Sequence, residues 1–350
     1  MTYKVLDLFC GAGGLSLGFQ KAGFEIVGGV DFDPQAMETH KANFKSRFEF
    51  CGDIKSISNE TIIDKLSDVD VIIGGPPCQG FSIANRYEKE VDDPRNKLFF
   101  EFMRFVQIIK PKVFVIENVP GILTKDDGYA KDRILDITSN GQTKYKTNVN
   151  VLNANDYGVP QLRRRAFFVG VREDLNVLFD FESLNKSSIE TTVADAIGDL
   201  CDPKIENKSA LSRILRDSDI IHNHDITVHK PAVVQRITHV KPGENWSSVP
   251  SHLWDTNRNN RHSSAYRRLS LDKPSITIDT GHMNYFHPIE NRVPTVRESA
   301  RIQTFPDSFV FMGGKGAQYR QVGNAVPPLL SKVIAESILE LINYAQNENN

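Results

Sequence analysis

The chain has 350 residues, of which 40% are hydrophobic, so it can form a sizeable core. It has 42 Lys and Arg against 44 Asp and Glu, and this near-neutral charge does not by itself indicate a polyanionic partner. No apolar run is long enough to span a membrane, and the N terminus carries no charged-then-apolar leader, which predicts a cytoplasmic protein. The four cysteines, at positions 10, 51, 78 and 201, never fall in Cys-x-x-Cys spacing, which argues against a zinc site and against a disulfide framework.

Apolar runs alternate with amphipathic stretches in the first half of the chain. Strands are predicted over residues 4–9, 25–30, 48–50, 69–73 and 113–116, with a further strand pair over 145–152 and 166–171. Helices are predicted over 15–22 and 98–109, and another begins with Asp33 as N-cap and Pro34 at the first helical position. This alternation predicts an α/β fold, a doubly wound, mostly parallel, Rossmann-like sheet with helices on both faces.

The second half of the chain has a different composition. Residues 185–291 are polar and irregular and contain eight of the nine histidines. They predict a smaller, less regular domain, in which no histidine pair has the spacing of a helical metal site. A strong helical pattern returns over residues 328–344, and its apolar face requires the core of the first domain.

A glycine-rich loop over residues 7–14 follows the first predicted strand. Glycines at this place let the backbone approach a ligand closely, and Asp31 ends the second strand, where it could bind ribose hydroxyls. The pattern indicates a nucleotide-like cofactor; the alternative is a tight turn without a ligand. Ser16 stands where a third glycine of G-x-G-x-x-G would fall, which makes NAD a poorer candidate.

Cys78 follows the fourth predicted strand, in a turn of glycines and prolines over residues 74–82. In an open parallel sheet the ligand crevice lies outside the carboxyl ends of the strands, so this turn should border it. A thiolate is a strong nucleophile at neutral pH. A buried structural cysteine is the alternative, but the flanking prolines and glycines argue against a core position.

Charged residues are predicted at the same edge of the sheet. Glu117 ends the fifth strand, where its carboxyl could act as an acid. Strand alternation would place Arg163 and Arg165 on one face, where two guanidinium groups suit a phosphate or a carbonyl oxygen. The alternative for the arginines is a solvated basic patch.

Taken in order, these motifs resemble those of the DNA (cytosine-5)-methyltransferases of the bacterial or phage restriction–modification type. The resemblance covers most of the chain and rests on residues 7–14, 53–54, 77–79, 117–119, 161–165, 297–306 and 321–326. Asp31 stands where many members of that family have Glu. The resemblance implies a catalytic and cofactor domain over residues 1–184 plus 320–350, and a target recognition domain with its hinge over 185–319.

The resemblance also implies a reaction. A methyl group passes from S-adenosylmethionine to carbon 5 of a flipped-out cytosine in a short duplex DNA sequence, leaving S-adenosylhomocysteine (EC 2.1.1.37). Cys78 would attack carbon 6, Glu117 would bind the ring edge, and Arg165, helped by Arg163, would hold the carbonyl oxygen. No metal is required. The protein would act as a monomer that protects host DNA, with a possible cognate endonuclease acting separately and no membrane contact.

Family resemblance further assigns binding residues. The expected cofactor residues are Asp7, Phe9, Gly11, Gly13, Asp31, Phe32, Asp53, Ile54, Pro77, Leu98 and Asn324. The expected DNA-binding residues are Gln79, Ser82, Arg258, Arg261, Arg267, Arg268 and Thr277, with ordinary surface charge as the alternative for the arginines.

Three other functions remain open at this point. A transfer RNA cytosine-5 methyltransferase would use the same chemistry, but the Cys-Phe-Thr type segment of that branch is missing from the sequence. A non-catalytic DNA-binding methyltransferase fold would be expected to have lost a catalytic residue. A nicotinamide-dependent oxidoreductase would explain neither Cys78 nor the motifs after residue 290.

Overall fold

The computed structural model describes residues 2–77, 97–202, 204–205, 209–254, 266–281 and 284–348. Five of the predicted site residues lie outside the described residues: Cys78, Gln79, Ser82, Arg258 and Arg261.

A seven-stranded, mostly parallel sheet forms the centre of the first part of the chain, which confirms the predicted fold class. Its strands are β1 (Lys4–Leu8), β2 (Glu25–Asp31), β3 (Phe48–Cys51), β4 (Val71–Gly74), β5 (Val113–Asn118), β6 (Tyr145–Asn153) and β7 (Arg164–Arg172). The spatial order is β3-β2-β1-β4-β5-β7-β6, with β7 antiparallel to both of its neighbours. The order reverses between β1 and β4, and a ligand crevice is expected at the carboxyl ends of strands at such a point.

Helices connect or flank these strands. They are α1 (Gly14–Lys21), α2 (Pro34–Asn43), α3 (Asn59–Leu66), α4 (Lys97–Ile109), α5 (Tyr129–Asn140) and α11 (Pro328–Glu348). Asp33 caps α2 by accepting from the backbone N–H groups of Gln35 and Ala36, and Pro34 is its first residue, as predicted. The final helix, α11, packs against α1, where the Ser331 hydroxyl donates to the Leu15 carbonyl over 2.8 Å.

The core of this part is built from the inward faces of the strands and of α4. Leu6, Ile72, Phe102 and Phe114 are fully buried in it. These residues lie on neighbouring strands and on the apolar face of α4. Burial of their hydrophobic surface therefore packs the helix against the sheet. The carboxyl ends of the strands are thereby held at one edge.

The chain divides into two compact units. The first contains residues 1–153, 164–186 and 328–350, and the second contains 154–163 and 187–327. The predicted boundaries at 184 and 320 lie near 186 and 328, whereas residues 154–163, predicted in the catalytic domain, group with the second unit.

The second unit has little regular structure. Its elements are α6 (Val193–Cys201), α7 (Ala210–Leu215), α8 (Pro231–Thr238), β8 (Arg267–Arg268), β9 (Tyr285–Phe286), α9 (Val296–Ile302) and α10 (Lys315–Asn324). Buried ion pairs supplement its small apolar clusters; Arg301, for example, contacts both Asp199 and Asp307. Across the described part of the chain, the helices are too short or too polar to traverse a bilayer.

Candidate active site

A cavity of about 390 Å³ opens at the carboxyl ends of β1, β2 and β3. Its walls are formed by Phe9, Val30, Asp31, Phe32, Gly52, Asp53, Ile54, Lys55, Pro77 and Leu98. Seven of these residues were predicted as cofactor residues. They come from segments that are separated by tens of residues in the sequence. The parallel strands bring these segments together, because their carboxyl ends share one edge.

Asp31 is held at the end of β2 by two backbone groups. Its Oδ2 accepts from the Gly11 N–H over 2.8 Å, and its Oδ1 accepts from the Asp33 N–H over 2.9 Å. A carboxylate has about four acceptor positions, so Asp31 can still accept from ligand hydroxyls. The contact with Gly11 also ties the glycine loop, residues 9–13, to the neighbouring strand.

Two aromatic side chains and a second carboxyl complete the cavity. Phe32 is 76% exposed and lines the cavity, where its ring is available for stacking. Phe9 has a φ of +60°, a left-handed conformation that is costly for an aromatic residue and that clusters at functional sites. Asp53 is exposed, and its Oδ1 accepts from the Lys55 N–H over 3.1 Å.

The turn that leads to Cys78 is tied to the end of β5. The Asn118 side-chain amide donates to the Pro76 carbonyl over 3.0 Å. Pro77 follows, lines the cavity, and directly precedes Cys78 in the chain. The backbone immediately before the predicted nucleophile is therefore fixed to the strand that carries Glu117.

Glu117 and Arg165 form an ion pair next to this turn. The Arg165 Nε lies 2.9 Å from the Glu117 Oε1, with side-chain exposures of 17% and 14%. The pair arises because β5 and β7 are antiparallel neighbours, with Asn118 opposite Ala166. A guanidinium and a carboxylate that remain partly accessible can bind opposite edges of one polar ring.

Arg163 differs from its predicted placement beside Arg165. Its side chain is fully buried in the second unit, where Nη1 donates to the Ile278 carbonyl over 3.0 Å and Nη2 to the Gly323 carbonyl over 2.9 Å. Strand alternation does not apply to it, because β7 begins only at Arg164. These contacts argue for a structural role and against direct contact with a substrate.

Four predicted cofactor residues do not line the cavity. The Asp7 side chain is 1% exposed and bonds to the Ser16 hydroxyl behind the glycine loop. Gly11 contributes through its N–H to Asp31, while Gly13 packs against α2. Asn324 ends α10 in the second unit with an exposed side chain, and its role stays a prediction.

The described DNA-binding candidates are Arg267, Arg268 and Thr277, and of these Arg267 and Thr277 are half-buried. Arg268 is 4% exposed and donates to the carbonyls of Ile237 and Glu290, among others. Its burial argues against the predicted contact with DNA. Thr277 is half-buried, and its hydroxyl donates to the Leu162 carbonyl over 2.8 Å.

Sequence reasoning missed the residues that support the predicted ones. Val30, Gly52 and Lys55 line the cavity beside Asp31 and Asp53, and their position next to predicted residues was the available signal. Ser16, noted only as a departure from a glycine pattern, supplies the hydroxyl that bonds to Asp7. His40 forms a hydrogen bond with Ser16 in the same buried group, and no sequence pattern had indicated it.

Comparisons with known proteins match nearly the whole chain. A family model described as C-5 cytosine-specific DNA methylase matches residues 3–340. The chain is 39% identical to Type II methyltransferase M1.HphI of Haemophilus parahaemolyticus over 344 residues, which cover 97% of this chain and 88% of that protein. It is 36% identical to Type II methyltransferase M.DdeI of Desulfomicrobium norvegicum, with 99% and 91% covered.

Solved structures match in the same way. A DNA modification methyltransferase encoded within an Escherichia coli prophage superposes with a TM-score of 0.80 at 31% identity, covering 98% of this chain and 100% of that one.

Proposed function

The chain belongs to the family of C-5 cytosine-specific DNA methylases, and from that premise we propose that Cys78, Glu117 and Arg165 are its catalytic residues. Like its Type II relatives, it is a DNA (cytosine-5-)-methyltransferase, EC 2.1.1.37, of restriction–modification type. The observation that carries the residue assignment is the Glu117–Arg165 ion pair, which stands beside the turn leading to Cys78.

Cys78 acts as the nucleophile. Carbon 5 of cytosine is a poor nucleophile in the intact ring, and addition of the thiolate at carbon 6 turns the ring into an enamine-like species that reacts at carbon 5. After methyl transfer, a base removes the carbon 5 proton and Cys78 leaves carbon 6 as the thiolate, which restores the double bond between carbons 5 and 6. The prolines before Cys78 and the bond from Asn118 to Pro76 orient the start of this segment.

Glu117 and Arg165 bind the target ring. The Glu117 carboxyl takes up a proton and shares it with ring nitrogen 3 while accepting from the amino group, which stabilises the protonated ring once the thiolate has added. The Arg165 guanidinium donates to the carbonyl oxygen, and its positive charge favours the thiolate form of Cys78. Their mutual ion pair holds both side chains at the edge of the sheet before substrate arrives, so little reorganisation is needed.

The cavity fits S-adenosylmethionine, the cofactor that the family and fold imply. Asp31 would hold the ribose hydroxyls, Asp53 the adenine amino group, and the rings of Phe9 and Phe32 the flat base. When bound, this cofactor supplies an electrophilic methyl group. Pro77 connects the cavity wall to Cys78, so the same turn serves both the cofactor and the nucleophile.

DNA is the substrate of this family. The target ring is inaccessible within a duplex, so the protein would flip the nucleotide out of the helix. Residues 185–319 would read the sequence, with Arg267 and the residues at 258 and 261 near the phosphates. We also assign the protein to the bacterial cytosol as a monomer, which would act separately from any cognate endonuclease.

The test is methylation of separate pools of duplex DNA and transfer RNA with labelled S-adenosylmethionine, followed by bisulfite sequencing. The expected product is carbon 5 methylation of one cytosine in a fixed short DNA motif. Cys78→Ala should abolish transfer while cofactor and DNA binding persist. Cys51→Ala is the matched control, because Cys51 is exposed and does not line the cavity.

Three results would contradict this proposal. Appreciable turnover by Cys78→Ala would refute the nucleophile assignment. Label in transfer RNA alone would move the activity to the RNA branch of this chemistry, and binding without transfer to either pool would indicate a non-catalytic protein.

A further inference from the structure

His40 occupies a closely fitted space between the glycine loop and the sheet. Its side chain is fully buried. A Cβ atom on Gly29 would lie 2.6 Å from the His40 Cε1, and one on Gly13, where φ is +94°, would lie 2.4 Å from the Phe44 Cε2 and 3.1 Å from the His40 Cδ2. Glycine at position 29 therefore leaves room for the imidazole ring, and glycine at position 13 lets the glycine loop lie directly against the Phe44 and His40 rings.

Both nitrogens of this ring have polar partners. The His40 Nδ1 lies 3.0 Å from the Glu49 Oε1, and its Nε2 lies 3.3 Å from the Ser16 Oγ. The Ser16 Oγ in turn lies 2.6 Å from the Asp7 Oδ2. Asp7, Ser16, His40 and Glu49 thus form a continuous chain, here called the Asp7–Glu49 relay. Within the described residues, the second carboxyl oxygens of Asp7 and Glu49 are buried without a hydrogen-bond partner.

The hydrogen atoms of the relay can be arranged in two ways. If the Ser16 hydroxyl donates to an ionised Asp7, then His40 must donate from both nitrogens and is an imidazolium. If Ser16 donates to His40 instead, then Asp7 must carry a proton and donate it to Ser16, and His40 is neutral. Both arrangements hold the same number of protons, so Asp7 and His40 share one proton through Ser16.

The groups around the relay are mostly acidic. Burial raises the pKa of Asp7 to about 7, against the opposing effects of the Ser16 hydrogen bond and the His40 charge, and Asp31 raises it further. The neighbouring Cys10 thiol has its pKa raised by burial and then by Asp7. When the shared proton passes to solvent, Ser16 can donate to only one of its two neighbours, and the other loses a buried hydrogen bond.

We infer that His40 is a positioning residue for the glycine loop: the shared proton completes the relay beneath Gly13, and its loss loosens the loop and weakens binding of S-adenosylmethionine. His40 does not line the cavity, so it acts through the loop that binds Asp31. This inference rests on the proposed cofactor site.

The experiment is calorimetric titration with S-adenosylmethionine at about pH 6 and about pH 8.5, on either side of the pKa of about 7 to which burial raises Asp7. The Kd of the unmodified protein should rise about fivefold more between these values than the Kd of His40→Gln, which corresponds to one net hydrogen bond. Ser16→Ala should behave like His40→Gln, because it removes the link. His252→Gln, at an exposed histidine, should behave like the unmodified protein. Any pH dependence that comes from protonation of S-adenosylmethionine itself is the same for the unmodified protein and the three variants, so it cancels in the comparison.

A measurement on the unmodified protein removes any dependence on the folding of variants. By linkage, cofactor binding should raise the pH midpoint at which the relay loses its shared proton, followed through the NMR chemical shift of the Asp7 carboxyl carbon. An unchanged midpoint, an equal pH response in His40→Gln, or tighter binding at high pH would each overturn the inference. Absence of binding at both pH values would overturn the proposed cofactor, and the inference with it.

Discussion

Replacement of Arg268 by methionine separates a structural role from a role in DNA contact. Arg268 lies in β8 of the second unit and is 4% exposed. Its guanidinium donates to the carbonyls of Ile237 over 2.8 Å and Glu290 over 3.0 Å, and to the Asn291 Oδ1 over 2.6 Å. The carbonyls of Val240 and His287 are further acceptors. Arg268 therefore joins three separate segments around a small core.

The cost of the substitution follows from these contacts. Methionine retains much of the apolar stem but donates to none of the acceptors, and each buried acceptor left without a partner costs about 1–3 kcal/mol. We therefore expect Arg268→Met to lower the free energy of unfolding by about 3–5 kcal/mol, the loss when two or three of these acceptors stay buried without a partner.

Urea unfolding followed by tryptophan fluorescence measures this loss, because both tryptophans, Trp246 and Trp254, belong to the second unit. The control is Arg267→Met at the adjacent, half-buried residue, which should change stability little but weaken DNA binding. An unchanged unfolding midpoint in Arg268→Met, together with weaker DNA binding, would refute the structural role and restore the predicted contact.

Two further predictions concern a binding carboxylate and a buried one. Asp31→Ala should weaken S-adenosylmethionine binding by about 1–3 kcal/mol in calorimetry, because a ribose partner and the anchor for Gly11 are both lost; exposed Asp64→Ala is the control, and equal affinities would show that Asp31 does not bind the cofactor. Burial raises the pKa of Glu298, but hydrogen bonds from Arg292 outweigh it and hold the pKa well below its usual range. The ion pair therefore stabilises the fold above the unfolded pKa of about 4.3 and loses this effect as the pH falls below that value. Glu298→Gln should cost about 3–5 kcal/mol in urea unfolding at neutral pH, and less in acid; a pH-independent difference would contradict this reasoning.

The sequence was sufficient for the fold class, because alternating strand and helix patterns predict a mostly parallel sheet from local periodicity. The position of Asp31 after a strand predicted it at the crevice, and the family resemblance assigned Phe9, Asp53 and Pro77 to the same site. These residues line one cavity because the carboxyl ends of parallel strands share an edge. The sequence also predicted β6 and β7 as a further strand pair. It did not reveal that β7 lies between β5 and β6 in the sheet.

The roles of the arginines were decided only by the tertiary structure. Arg163 and Arg165 are two positions apart, yet one is buried against backbone carbonyls and the other pairs with Glu117. Arg267 and Arg268 are adjacent, yet Arg267 is half-buried whereas Arg268 is buried. A guanidinium can satisfy carbonyls, carboxylates or phosphates equally well, so its sequence neighbours do not reveal its partner.

The same limit applies to the Asp7–Glu49 relay. Its members come from β1, α1, α2 and β3, and only folding brings them within hydrogen-bond distance. Local sequence determines which elements form, because their hydrogen bonds and periodic contacts lie within a few residues. Which polar side chains are buried, and which partners they find there, depends on contacts between distant segments, and these were settled by the packing of the whole unit.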